Sequence, residues 1–175
     1  MIRKAHGFAL IDLLFVCGII GILCSVALPR LLLAKQAAGS ASAIGSMRAI
    51  NSAQLTYALT CGSGFYAPRL TTLGKPPLGS TEPFISAGLA TGDSVTRSGY
   101  GIRMSADAYA GSPATCNGLA AGEAGQGFRA GADPIEPGNA RFFATNAGGV
   151  IFEDAATMFP TMPEVGDPPS GHTIR

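Results

Sequence analysis

The side chains with chemistry to offer are few: four cysteines, two histidines and 11 acidic residues in a chain of 175. Cys61 and Cys116 stand outside the long apolar run near the N-terminus, and such a pair in a small exported domain usually forms a disulfide. A bridge between them is expected, with two buried free thiols as the alternative. It would close a loop of 56 residues counting both ends, contributing roughly 4 kcal/mol in the chain-entropy account. Cys17 and Cys24 lie within the apolar run, seven positions apart, and read as small apolar groups near one helix face. Metal ligation is not expected, because no Cys-x-x-Cys or His-x-x-x-His pair accompanies them and the histidines are His6 and His172.

The acids point the same way. Glu153 and Asp154 are an isolated pair, and Asp133, Glu136, Glu164 and Asp167 are scattered, so they read as solvated turn acids and not as a calcium loop. A nucleophile needs a base within hydrogen-bond reach, and beyond the first seven residues His172 is the sole histidine. Gly122, Gly125 and Gly127 do not follow a strand and open a helix, and the Gly74–Pro77 run GKPP lacks the hydroxyl of a phosphate loop. The chain reads as no enzyme, with no cofactor.

The element behind these choices is the N-terminal run. From Phe8 to Leu28 there are 21 residues whose only charge is Asp12, and at about 1.5 Å per residue a helix of that length crosses a roughly 30 Å hydrocarbon core. A cleaved secretory signal is one alternative, with Ser25-Val26-Ala27 as its cut site, although the run exceeds the usual 7 to about 15 apolar residues. A lipoprotein site at Cys17 fits worse, since bulky Phe15 and Val16 precede it; an uncleaved anchor is the third alternative. An unpaired Asp at a helix centre costs roughly 2.5–3.5 kcal/mol on insertion scales, and less near the interface. Arg3 and Lys4 before the span are matched by Arg30, Lys35 and Arg48 after it, so charge asymmetry does not set the orientation.

The segment GFALIDLLFVCGIIGILCSVALPRLL resembles the N-terminal signature of type IV pilins and type II secretion pseudopilins, over about the first sixth of the chain. The resemblance implies cleavage by a prepilin peptidase after Gly7, N-methylation of Phe8 and an assembly role for Asp12, paired with the methylated amine of a neighbouring copy. The family normally carries Glu where this chain has Asp12, and a carboxylate shorter by one C–C bond (about 1.5 Å) reaches less far, which suits a minor or initiating subunit. Pro29 matches the helix-bending proline; with Gly18 and Gly21 it marks the stretch that loosens when family members pack into a filament. Loss of the leader removes Arg3 and Lys4, leaving 10 basic residues against 11 acidic ones. That balance gives no reason to expect nucleic acid as a partner.

Beyond the span the helix should continue, because Leu31–Leu59 contains no proline and Ile44, Met47, Ile50, Gln54 and Tyr57 keep a 3.6-residue repeat. Stop signals arrive at Cys61-Gly62-Ser63-Gly64, so a helix over Phe8–Thr60 is expected, about 80 Å long. Leu70–Leu73 reads as one short helical turn. Strands are expected at Tyr100–Met104, Phe128–Ala132, 141–145 and 150–154, the last two flanking Asn146-Ala147-Gly148-Gly149 as a hairpin. The glycine-rich stretch Ala106–Gln126 reads as a loop, and Pro160–Arg175 as an extended or mobile tail. The fold class is therefore α+β: a long N-terminal helix packed on an antiparallel four-stranded meander.

The expected layout is a leader at 1–7, a long helix at 8–61 with its first half transmembrane, a head at 62–159 and the tail at 160–175. With only 13% charged residues and a positive mean hydropathy, the composition suits one span and one small domain. The resemblance implies a filament subunit with prepilin peptidase, further copies, minor pilins, a membrane platform protein and an assembly ATPase as partners. Membrane lipid would surround it before assembly, with the head outside the cytoplasmic membrane and the filament a surface pilus or a periplasmic pseudopilus. A non-polymerising anchored adhesin or binding module is the alternative from another class.

Overall fold

The computed structural model describes residues 10–136 and 139–174. Two compact units divide the chain, Met1–Ala37 and Ala38–Arg175. Helix α1 (Leu10–Thr60) belongs to both, followed by the single turn α2 (Leu70–Leu73) and a 3-10 turn at Ala87–Leu89. Both helices lie where the sequence pattern puts them, with Phe8 outside the described residues.

In the second unit the helical repeat becomes a buried stripe. Met47, Ile50, Gln54 and Tyr57 are fully buried, joined by Ala43 and Ala53, and the face they form packs on an antiparallel sheet. That sheet has six strands in chain order: β1 (Ser94–Arg97), β2 (Tyr100–Ser105), β3 (Arg129–Pro134), β4 (Phe142–Asn146), β5 (Ile151–Asp154) and β6 (His172–Thr173). Register places Val95, Ile102, Ala132 and Phe143 in one cross-strand row and Met104, Ala130, Thr145 and Ile151 in another. Both rows face α1, since side chains alternate along a strand.

The expected count of four strands is corrected to six. β1 holds one buried apolar residue in four, Val95, with the others exposed, so it carries almost no alternation. Ser98 (φ 51°) and Gly99 (φ 80°) join it to β2, and two left-handed residues make the tight turn whose twist suits a hairpin. Gly39 lets this turn sit against the helix: a Cβ there would lie 2.8 Å from the Ser98 carbonyl oxygen. β6 is two residues long and pairs with β5 through Phe152–Thr173 and Glu153–His172.

The last stretch is irregular but docked. Alternation sends Arg103, Gly131, Ala144 and Phe152 to the outer sheet face, and Met158 and Met162 bury themselves against Ala144 and Phe152 as a second small core. Gly131 makes room for the Phe159 side chain, whose Cβ lies 2.9 Å and nearest ring carbon 3.1 Å from where a Cβ would stand. Buried Asn146 donates from its amide to the carbonyls of Pro163 (3.1 Å) and Gly166 (2.6 Å). Residues 155–166 thus form a strap over the face that a two-layer reading leaves bare.

Candidate functional site

The first unit is a helix whose large apolar residues, Leu10 through Leu33, are all exposed. It is the one described helix long and apolar enough to cross a membrane, judged by length and composition. Asp12 sits in its first described turn and is the only acid in α1. Gly7 and Phe8, the proposed cleavage and methylation positions, lie outside the described residues. Cys17 and Cys24 are exposed free thiols.

The helix runs unbroken through the positions the family resemblance marks for loosening. Gly18 and Gly21 have nothing within 4 Å of a hypothetical Cβ, so they leave two shallow spots open to another backbone. Pro29 lies inside the helix and, lacking an N–H, gives the Ser25 carbonyl no partner one turn back. The Ser25 hydroxyl meanwhile donates to the Ile22 carbonyl at 2.7 Å. This short region therefore holds fewer helical hydrogen bonds than its neighbours.

In the second unit, Cys61 and Cys116 form a disulfide with their Cα atoms 5.0 Å apart. Cys61 follows directly on the last residue of α1, and the Gly62 N–H returns to the Tyr57 carbonyl at 2.8 Å. The bridge ties the helix end to the 106–126 loop, which has little apolar surface of its own. Asn117, one residue beyond the bridge, is buried and donates to the Thr72 carbonyl at 2.8 Å, so the loop is anchored twice. Gln54 fastens the chain that leaves the helix: its Nε2 donates to the Ala67 carbonyl (2.8 Å) and its Oε1 accepts from the Ala67 N–H (2.9 Å).

A cleft of about 680 Å³ opens beside α2, with Met104, Ala106 and Leu119 among its walls and Arg69, Lys75, Asp93 and Glu123 around it. Asp93 accepts from the Thr71 hydroxyl (2.7 Å) and lies 3.7 Å from Arg69. Nothing in the sequence marked this cleft, because its residues come from separate segments with no shared motif. Among the described residues no group of three or more His, Cys, Asp or Glu side chains is placed to hold a metal ion. His172 lies opposite Glu153 in the β5–β6 ladder. Arg141 grips Glu153 with two N–H groups, and chiefly that hydrogen bonding holds the Glu153 carboxyl below its ordinary value. Glu164, on the strap, is pushed up mainly by burial although it accepts the Asp107 N–H.

Comparison of the chain with protein-family models, curated proteins and solved structures finds no match in any of the three.

Proposed function

We propose that the chain is a structural subunit of a type IV pilus-like filament, cut after Gly7 and methylated on Phe8 by a prepilin peptidase and polymerised through its N-terminal helix. The observation that carries this reading is the exposed apolar helix with a single carboxylate, Asp12, directly behind a leader of the prepilin pattern. The second unit contributes a head closed by its own disulfide and covered on both sheet faces, so the helix is the part left wanting a partner. Lipid serves before assembly; helix-to-helix packing replaces it afterwards, and an open head-to-tail contact generates a fibre.

The shorter carboxylate of Asp12 favours a second reading, a minor or initiating subunit, or a pseudopilin of a type II secretion system. Imaging intact cells with an antibody against the head separates surface filaments from periplasmic ones. The primary test is the intact mass and N-terminal sequence of the chain from cells with and without prepilin peptidase. A chain that starts at N-methyl-Phe8 only when the peptidase is present supports the subunit reading. A retained Met1, or a start at Leu28, refutes it in favour of an anchored or secreted binding module.

A further inference from the structure

The cleft beside α2 exists because β1 ends before β2 does. Their last pair is Ser94 with Arg103, so Met104 and Ser105 carry β2 two residues past it. Chain returns beside the strand only where the Ala106 N–H donates to the Pro68 carbonyl at 3.2 Å. The space between, about 680 Å³, falls within the roughly 300–1,000 Å³ of small-ligand sites. Its two walls are fastened to each other. Asn117, buried on the loop wall, donates to the carbonyls of Thr72 (2.8 Å) and Lys75 (3.3 Å) on the α2 wall. It also accepts from the Thr115 hydroxyl at 2.8 Å and stands next to the Cys61–Cys116 bridge. The shape is therefore set before anything enters, which spares a ligand the cost of ordering the loop.

Charge decides what the cleft can hold. Arg69, Lys75, Asp93 and Glu123 line it. Arg69 and Asp93 offset each other at 3.7 Å, and Asp93 also accepts from the Thr71 hydroxyl. The Lys75 ammonium has no partner among the described residues. Glu123 accepts the Ala120 N–H on Oε2 at 3.1 Å, which leaves Oε1 open. One cation on the α2 wall and one carboxylate on the loop wall are thus left over, beside the half-buried apolar side chains of Pro68, Ala106 and Leu119. No aromatic ring is among the lining residues, so the cleft has no platform for a nucleobase and no cage for a quaternary ammonium. We infer that it binds a zwitterionic ligand of dipeptide size, with the carboxylate at Lys75, the ammonium at Glu123 and the aliphatic body over Leu119. A simple anion or cation satisfies one wall and meets like charge at the other, whereas a zwitterion satisfies both. A single amino acid would fill only a fraction of the volume.

An NMR titration of the isotope-labelled full chain in non-ionic detergent, with the disulfide oxidised, tests the site. The probes are Leu-Leu, its N-acetyl form and its C-terminal amide. Leu-Leu is expected to shift the amide signals of Thr71–Lys75 and Leu119–Glu123 with a Kd on the order of 1 mM or tighter. Each blocked form is expected to bind about fivefold more weakly, the upper range for an exposed ion pair. Variants assign the two ends. In K75M the amide should bind as well as Leu-Leu while the acetyl form stays weaker; in E123Q the reverse holds, and K75R keeps the native preference. Lys75 and Glu123 are exposed, and an unchanged urea midpoint confirms an intact head in each variant. No shift at those positions up to about 10 mM Leu-Leu, equal binding of the blocked forms, or a native preference in K75M and E123Q overturns the inference. None of these readouts involves leader removal or assembly, so their failure leaves the filament reading standing, and a chain that keeps Met1 leaves the cleft as it is.

Discussion

Gln54 offers the sharpest test of how the head is fixed to its helix. The side chain is fully buried, its amide meets both backbone groups of Ala67, and Ala67 is itself fully buried. In Gln54→Leu the volume is nearly kept, but the Ala67 N–H and carbonyl lose their partners where water does not reach. A buried unsatisfied group costs about 1–3 kcal/mol, so the two together cost about 2–6 kcal/mol. Removing the buried amide returns about 1–3 kcal/mol of its own desolvation cost. The net expectation is a loss on the order of 2 kcal/mol, a sizeable share of the roughly 5–15 kcal/mol that holds a domain together, and at about 2–4 °C per kcal/mol a Tm lower by roughly 4–8 °C. Gln54→Glu sharpens the test, since one carboxylate oxygen still accepts the Ala67 N–H while the other faces a carbonyl it cannot satisfy. Burial raises the carboxyl pKa, so stability is lost as pH rises through that raised value and returns on acidification, when the protonated oxygen donates to Ala67. Thermal and urea unfolding of the full chain in detergent, with the disulfide oxidised, measures both variants. A Gln54→Leu head within about 0.5 kcal/mol of native, the scatter of an ordinary surface substitution, would refute the argument, as would a Gln54→Glu head whose deficit does not change with pH.

Three further outcomes follow from the same structure. C61S/C116S should lower head stability by roughly 4 kcal/mol, read as a lower urea midpoint, while C17S/C24S leaves that midpoint unchanged. Gly131→Ala drives a methyl group to 2.9 Å from the Phe159 Cβ, an overpacking cost of about 1–3 kcal/mol. Limited proteolysis should then cut the strap, residues 155–166, sooner than in the native chain, with β1–β3 still protected. Because the Glu164 carboxyl is raised above its ordinary 4.5, its contribution is fully present below that ordinary value and is lost as pH rises through the raised one. Glu164→Gln keeps an acceptor for the Asp107 N–H, so it should be no less stable than native at neutral pH and show a flatter profile toward acid. A profile that matches the native one across that range would exclude Glu164 as its source.

The sequence spoke most clearly where one physical signal repeated. The 3.6-residue stripe gave Met47, Ile50, Gln54 and Tyr57 as the buried face of α1, though Gln54 gave no hint that its partner would be Ala67 beyond the end of the helix. The two cysteines outside the apolar run announced their own pairing. Strands β2 to β5 were legible through alternation or through the Asn146–Gly149 turn, whereas β1 offers only Val95 and β6 only two residues, too little for any period to register. The strap was hidden for a different reason: prolines and glycines from Pro160 to Gly171 read as an extended or mobile tail, and nothing periodic marked Met158 and Met162 for burial. At the N-terminus, Asp12 was legible as an isolated acid.

The strap and β6 follow β5 in the chain, and that sets the order in which a newborn head is finished. Synthesis adds about 5–20 residues per second, so positions 155–174 take on the order of seconds to follow β5 out. Hairpins pair in about 1–10 μs, so wherever the chain emerges residue by residue β1–β5 have time to pair before Met158, Met162 or Thr173 reaches them. Through that interval Ala144 and Phe152 lie uncovered and the outer edge of β5 has no neighbour. The head is therefore stickiest just before completion. A chain cut off between Asp154 and Met158 would carry a nearly whole sheet with one greasy side and one open edge, a product for quality control to remove and not a slightly shortened subunit.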